Sequence, residues 1–353
     1  MIPQFEPLIL ASDALDVHDQ VISGWIGAGK RITEFENLFA EKLGRKHAIA
    51  CTSGTAAIMI SLWSFNLKQN DKVFIPNYSF PAAFQTCRIQ GFNPILVDIN
   101  PSSMCMSYLA FKEAIKEHPD VKAVVWIPHN GYICPDYKFI LSGCNERGIH
   151  FIEDSACGLG CKSNSGILAG TIGHISTFSF SVPKVITTGQ GGMIVTDNDY
   201  LADRCREIID QGSLTWRQDG IHTNPGANFK FNDILASLGL AQLRRLSEIL
   251  NIRKKIMQRY MMNGIQLCSI QNLSSPWMIV IQSSNSDRIK DALESAGYQS
   301  KKLYKPTHYS LNQNDKVFPG AERAYLETLY LPSSLTLKME QIDEISKIVL
   351  KFY

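Results

Sequence analysis

The sequence predicts an α/β protein. A large domain over residues 1–240 holds a mainly parallel sheet between helices, and a smaller C-terminal α+β domain covers 241–353. Three observations predict this. Short apolar runs alternate with amphipathic stretches of helical length. The runs are apolar throughout rather than on alternate positions, as strands covered on both faces require. After about Asp233 the texture changes to a long helical pattern with a basic second half.

Taken in order, AIACTSG reads as a strand and turn, and TAAIMISLWSF as the helix after it. DKVFIP is a strand, followed by a helical stretch at PAAFQTCRIQ; NPILVDI is a strand, followed by a helix at YLAFKEAIKE. KAVVWIP, HFIED, ISTFSFS and GGMIVTD read as further buried strands. The run DILASLGLAQLRRLSEILNIRKKIMQRYMMNG reads as a helical bridge to the second domain. That domain is expected to hold a strand at WMIVIQSS and helices at SDRIKDALESAG and KMEQIDEISKIVLKFY.

The bulk composition excludes several classes. With 353 residues, 45% hydrophobic and 19% charged, the chain can bury a good core. A net charge of +2 gives no reason to expect nucleic acid as a partner. No apolar run is long enough to span a bilayer, and MIPQFEPLIL lacks the basic start of a signal peptide. Nine cysteines without a CxxC pair suggest reduced thiols in a cytoplasmic protein and no metal site.

Two motifs mislead. GWIGAGKR fits a P-loop until its last place, where Arg31 replaces the magnesium-ligating Ser or Thr, and a helical pattern precedes it instead of a strand. Ser181 and Lys184 fit Ser-x-x-Lys, but the companion elements of that serine chemistry are missing and Pro183 disfavours the helix it needs.

The remaining constellation fits a pyridoxal phosphate enzyme. Such chemistry needs a lysine, a carboxylate for the pyridine nitrogen, a phosphate cradle at a helix start and an aromatic face. In CTSGTAA, Ser53, Gly54 and Thr55 lie where a strand hands over to a helix; a plain N-cap is the alternative. Asp154 ends the strand HFIED, on the side where such sheets bind ligands; a turn or cap aspartate is the alternative. Phe80 follows another strand end, where its ring can stack on a cofactor or pack in the core. Lys184 sits between the aromatic strand STFSFS and the glycine turn TTGQGG, with Ser179 close enough to join the cradle. Desolvation there would lower a lysine's pKa and make it a usable nucleophile.

The ordered motifs TSGTAA, PNYSF, IEDSA, FSFSVPK with TTGQGG, and GANFKFND resemble the DegT-type nucleotide-sugar aminotransferases over nearly the whole chain. The layout looks closest to the perosamine-synthase-like 4-aminotransferases. The resemblance implies the pyridoxal-phosphate-dependent transferase fold type I, with Lys184 as the Schiff-base lysine and Asp154 as partner of the pyridine nitrogen. Phe80 would stack on the ring, and Ser179 with Ser53, Gly54 and Thr55 would cradle the phosphate. Asn228 would reach the phosphate of a neighbouring subunit, which implies a homodimer with shared active sites.

The sequence departs from the family pattern at several places. Cys157 stands where the family usually carries Gln, Glu or His against the cofactor's ring hydroxyl, and Gln190, Asn130 and Phe229-Lys230 also differ. The implied reaction moves an amino group from glutamate to a nucleotide-linked 4-keto-6-deoxy sugar for a surface polysaccharide or glycoconjugate. A 3-keto-sugar aminotransferase and a cofactor-binding sensor without turnover are the alternatives. The dehydratase branch of the same fold replaces the lysine by histidine, and Lys184 counts against it.

Overall fold

The computed structural model describes residues 1–268, 277–311 and 316–353. Two helices, α1 (Ala11–Ile22) and α2 (Lys30–Leu43), precede the first strand, β1 (His47–Cys51). The chain then runs through α3 (Gly54–Ser64), β2 (Lys72–Pro76), α4 (Ala82–Ile89), β3 (Asn93–Val97), α5 (Tyr108–Glu117) and β4 (Ala123–Trp126). It continues through α6 (Tyr137–Asn145), β5 (His150–Asp154), β6 (Ile175–Ser179), β7 (Gly192–Thr196) and α7 (Asp199–Ile209). After α8 (Trp216–Asp219) come α9 (Asp233–Arg244), α10 (Leu246–Met262), β8 (Val280–Gln282), α11 (Ser286–Ser295), α12 (Pro319–Glu327), β9 (Thr328–Tyr330) and α13 (Met339–Val349).

The main sheet has the order β1-β7-β6-β5-β4-β2-β3. Strands β3, β2, β4, β5 and β6 run parallel, while β7 pairs antiparallel with both β6 and β1. The expected α/β architecture with a mainly parallel sheet is present. Its strands are apolar because each is buried: β4 and β7 are covered along their whole lengths, and β5 along all but its first residue. Polar caps set where helices begin. Ser53, Ser107, Asn198 and Asn232 each accept a backbone N–H in the first turn of α3, α5, α7 and α9.

The long helical run differs from expectation, because it breaks at Arg245 into α9 and α10. Arg245 leaves helical geometry (φ −95°, ψ 8°), and its guanidinium reaches back to Asp13 of α1 at 2.8 Å. Helix α9 packs on α1 and α2, whereas α10 packs on α13, so two different surfaces draw the halves apart. The GWIGAGKR segment is a loop between α1 and α2 up to Gly29, with Lys30 and Arg31 opening α2; Gly24 is in the left-handed region (φ 74°) after a helix end, as the absence of a preceding strand suggests. WMIVIQSS gives only the short strand β8, paired antiparallel with β9.

Among the described residues no helix is long and apolar enough to cross a membrane, and no cluster of His, Cys, Asp and Glu could hold a metal ion.

Candidate active site

The sheet brings one end of its strands together. β5 ends at Asp154, β6 at Ser179, β2 at Pro76 and β4 at Trp126, all parallel. Antiparallel β7 begins at Gly192, which pairs with both Ser179 and Cys51. Ser53, Gly54, Thr55, Phe80, Asp154, Cys157, Ser179, Lys184 and Asn228 therefore lie at this end of the strands or in the turns that follow, where ligands of such sheets bind.

The residues expected to cradle a phosphate lie where β1 hands over to α3. Ser53 is the N-cap, its Oγ accepting from the Ala56 N–H at 3.0 Å, so the residue expected in the cradle also serves as a plain cap. Gly54 packs so close to β6 that a Cβ would lie 2.7 Å from the Ser179 Cβ. A Cβ at Gly192 would lie 2.3 Å from the Ser53 carbonyl oxygen. Ser53, Gly54, Thr55 and Ser179 thus share one tight junction at the positive end of an 11-residue helix.

Asp154 is buried, and its Oδ1 accepts from the Ala156 N–H and the Thr177 hydroxyl, each at 3.2 Å. Burial raises its carboxyl above the usual aspartate range, and the nearby Lys184 charge pulls it part of the way back. The turn reading is met, because the Ala156 N–H two residues on donates to the carboxylate and orients it.

Lys184 does not project into bulk solvent. Its Nζ donates to the Cys157 Sγ at 3.2 Å and lies 4.5 Å from the centre of the Trp277 ring. The loop that carries it is a short excursion: Thr188 N–H donates to the Phe180 carbonyl at 3.0 Å, and Phe180 N–H to Gly191 O at 2.9 Å. Gly189 (φ 78°) makes the return, which a residue with a Cβ would adopt only under strain. Burial raises the Cys157 thiol, and Lys184 opposes that rise.

Phe80 is 64% exposed beyond the end of β2, so it is not core packing; Tyr78 and Ser79 beside it are buried. Asn228 is exposed. Its neighbour Phe229 accepts the Thr52 N–H at 3.1 Å, and Lys230 bridges to Cys51, which fixes the Asn228 segment next to the cradle.

Sequence reading missed the residues that wall the site from the second half of the chain. Trp277, Tyr304 and Tyr330 are distant in sequence from Lys184, and no spacing ties them to it. Tyr78 stacks on His129 at 5.6 Å, and Tyr304 lies 5.0 Å from Tyr78. His129 meets the Tyr330 hydroxyl at 2.6 Å, and burial pushes its imidazole down to about 3.

Glu153 was also missed, although a charge inside an apolar strand was a legible signal, because a buried charge requires partners. Its Oε1 accepts from Ser155 Oγ and the Gly170 N–H, both at 2.6 Å. Its Oε2 accepts from Ile172 N at 2.9 Å, Gly173 N at 3.3 Å and Ser176 Oγ at 3.1 Å. This carboxylate ties the loop that follows Asp154 to the sheet. Glu153→Ala leaves those buried donors unpaired and should lower unfolding stability by about 4 kcal/mol in urea titrations, with Glu153→Gln losing less.

A surface cavity of about 580 Å³, lined by Arg45, Phe65, His150, His174 and Tyr200, lies at the opposite end of β5 and contains none of these residues.

The sequence profile of the DegT/DnrJ/EryC1/StrS aminotransferase family matches residues 9–350. The chain is 29% identical to a GDP-perosamine synthase of Vibrio cholerae, covering 100% of this chain and 99% of that protein. It is 30% identical to the dTDP-4-dehydro-2,3,6-trideoxy-D-glucose 4-aminotransferase of Saccharopolyspora spinosa, covering 97% and 95%. The crystal structure of the aminotransferase TlmJ from Streptoalloteichus hindustanus superposes with a TM-score of 0.90 at 30% identity, covering 99% and 98% of the two chains.

Proposed function

This chain belongs to the DegT/DnrJ/EryC1/StrS aminotransferase family, and we propose that it moves an amino group from glutamate to the 4-position of a nucleotide-linked 4-keto-6-deoxy sugar. The observation that carries this reading is the convergence of Lys184, Asp154 and the Ser53–Gly54–Ser179 junction at one end of the sheet. Two similar proteins bear names that specify perosamine synthesis and 4-amination, which favours the 4-position over the 3-position.

The residues present fit pyridoxal phosphate. The close approach at Gly54 and the free N–H groups of α3 suit a phosphate, which Ser53, Thr55 and Ser179 would hold. When bound, pyridoxal phosphate supplies an aldehyde for amines and a ring that accepts electrons. Asp154 would keep the proton on the ring nitrogen, because a buried carboxylate is stabilised by an opposite charge beside it. Phe80 would cover one ring face. Lys184 Nζ would hold the cofactor and carry a proton on its own nitrogen in each half of the exchange.

Incubation with glutamate, pyridoxal phosphate and a GDP- or dTDP-linked 4-keto-6-deoxyhexose should give 2-oxoglutarate and a 4-amino sugar nucleotide, located by mass and NMR. A 3-amino product would correct the position. No amination of either class of keto sugar would overturn the reading.

Asn228, exposed beside the cradle, would reach the phosphate of a second copy. Mixed Lys184→Ala and Asn228→Ala subunits should then recover about a quarter of wild-type sites, because half of randomly paired dimers carry one intact site. Recovery no greater than the sum of the separate variants would count against shared sites.

A further inference from the structure

Aminotransfer requires the lysine to leave the cofactor once in every cycle. Its amino group then lies in a half-buried site, where an unpaired polar group is costly. The structure shows what stands ready to receive it. Cys157 Sγ is 3.2 Å from Lys184 Nζ, and the face of the Trp277 indole is 4.5 Å away. Both are weak partners: a thiol is a poor acceptor, and a π face attracts the charged amine without a salt bridge that must later be broken.

The indole is fixed in place. Trp277 is buried, and its Nε1–H donates to the carbonyl of Pro183, the residue just before Lys184. Its N–H meets the Asn130 carbonyl at 3.4 Å, and its own carbonyl accepts from Arg253 Nη1. Arg253 is itself 3% exposed, its Nε and Nη2 have no hydrogen-bond partner among the described residues, and it rests 5.2 Å from the Phe5 ring. A buried guanidinium bonded to this carbonyl makes the ring a rigid platform rather than a mobile side chain.

We propose that Trp277 and Cys157 form a resting place for the Lys184 amino group, and that they set the balance between the aldehyde and amine forms of the bound cofactor. The proposal rests on the reading that Lys184 holds the cofactor. Both residues act through Lys184 and are positioning residues. These contacts could stand while pyridoxamine phosphate is bound, and Lys184 would have to give them up to hold pyridoxal phosphate. Weakening them therefore tightens pyridoxal phosphate binding and leaves pyridoxamine phosphate binding unchanged.

The test measures dissociation constants for both forms by equilibrium dialysis. Trp277→Leu should raise the ratio of the pyridoxamine phosphate constant to the pyridoxal phosphate constant about tenfold, the size of a desolvated cation–π contact. Trp277→Phe, which keeps a weaker π face, and Cys157→Ala should each raise it about threefold; they read the same quantity if Trp277→Leu does not fold. In a Lys184→Met background each effect should fall within about twofold, since the interaction is with the lysine. An unchanged ratio in these variants would overturn the proposal. So would an equal change with and without Lys184, which would mean direct contact with the cofactor. A different amino donor or sugar would correct the proposed substrates while leaving this cycle intact.

Discussion

Lys184→Ala should lower aminotransfer by about ten-thousandfold or more, because one side chain supplies both the covalent attachment and the proton shuttle. The loss should appear in kcat, with the protein folded and still able to bind pyridoxal phosphate noncovalently. Lys184 is only half-buried, and its described hydrogen bonds are Nζ to Cys157 and its own N–H to Ser181 O at 3.0 Å. The backbone contact survives the substitution. Thermal unfolding should therefore move little while turnover disappears, which separates a catalytic from a structural role. Other lysines should not substitute. Lys230, beside the expected cradle, is tied to Asp210 at 2.8 Å.

Asp154→Asn should lower kcat by about a hundred- to a thousandfold, the range found when one preorganised electrostatic group is removed from a reacting centre. The change is selective. The Asn side-chain oxygen can still accept from Ala156 N and Thr177 Oγ1, so geometry is kept and only the charge is lost. Burial holds the Asp154 carboxyl above the ordinary aspartate value, so it protonates earlier as pH falls. Cofactor binding by the wild-type protein should accordingly weaken on the acid side at a higher pH than an ordinary aspartate would cause. The Asn variant should lack that acid limb. Equal turnover in the two proteins would remove Asp154 from the mechanism.

Much of the sheet was legible because burial on both faces leaves its strands as unbroken apolar runs. HFIED could be read as a strand ending in acids, and it ends at Asp154 as expected. The direction of β7 was not legible, because GGMIVT is apolar whichever way it runs. Its antiparallel course is what places Gly192 against both Ser53 and Ser179. The break at Arg245 was hidden because RRLSEIL has good helical character, and only the pull of Asp13 and of two packing surfaces ends the helix there. Lys184, Asp154 and the cradle carry local signatures, since tight turns and strand ends demand particular residues. Trp277 carries none. It is 94 positions from the Pro183 carbonyl it binds, and only the folded chain brings its ring under Lys184. The contact of Cys157 with Lys184 likewise exists only in the folded chain.

The central claim is that the Lys184 amino group is the attachment point of the cofactor. Protein loaded with pyridoxal phosphate can be reduced with borohydride, digested and mapped by mass spectrometry. A phosphopyridoxyl group is expected on the peptide containing Lys184 and on no other. Its appearance on a different lysine, or on none, would contradict the account.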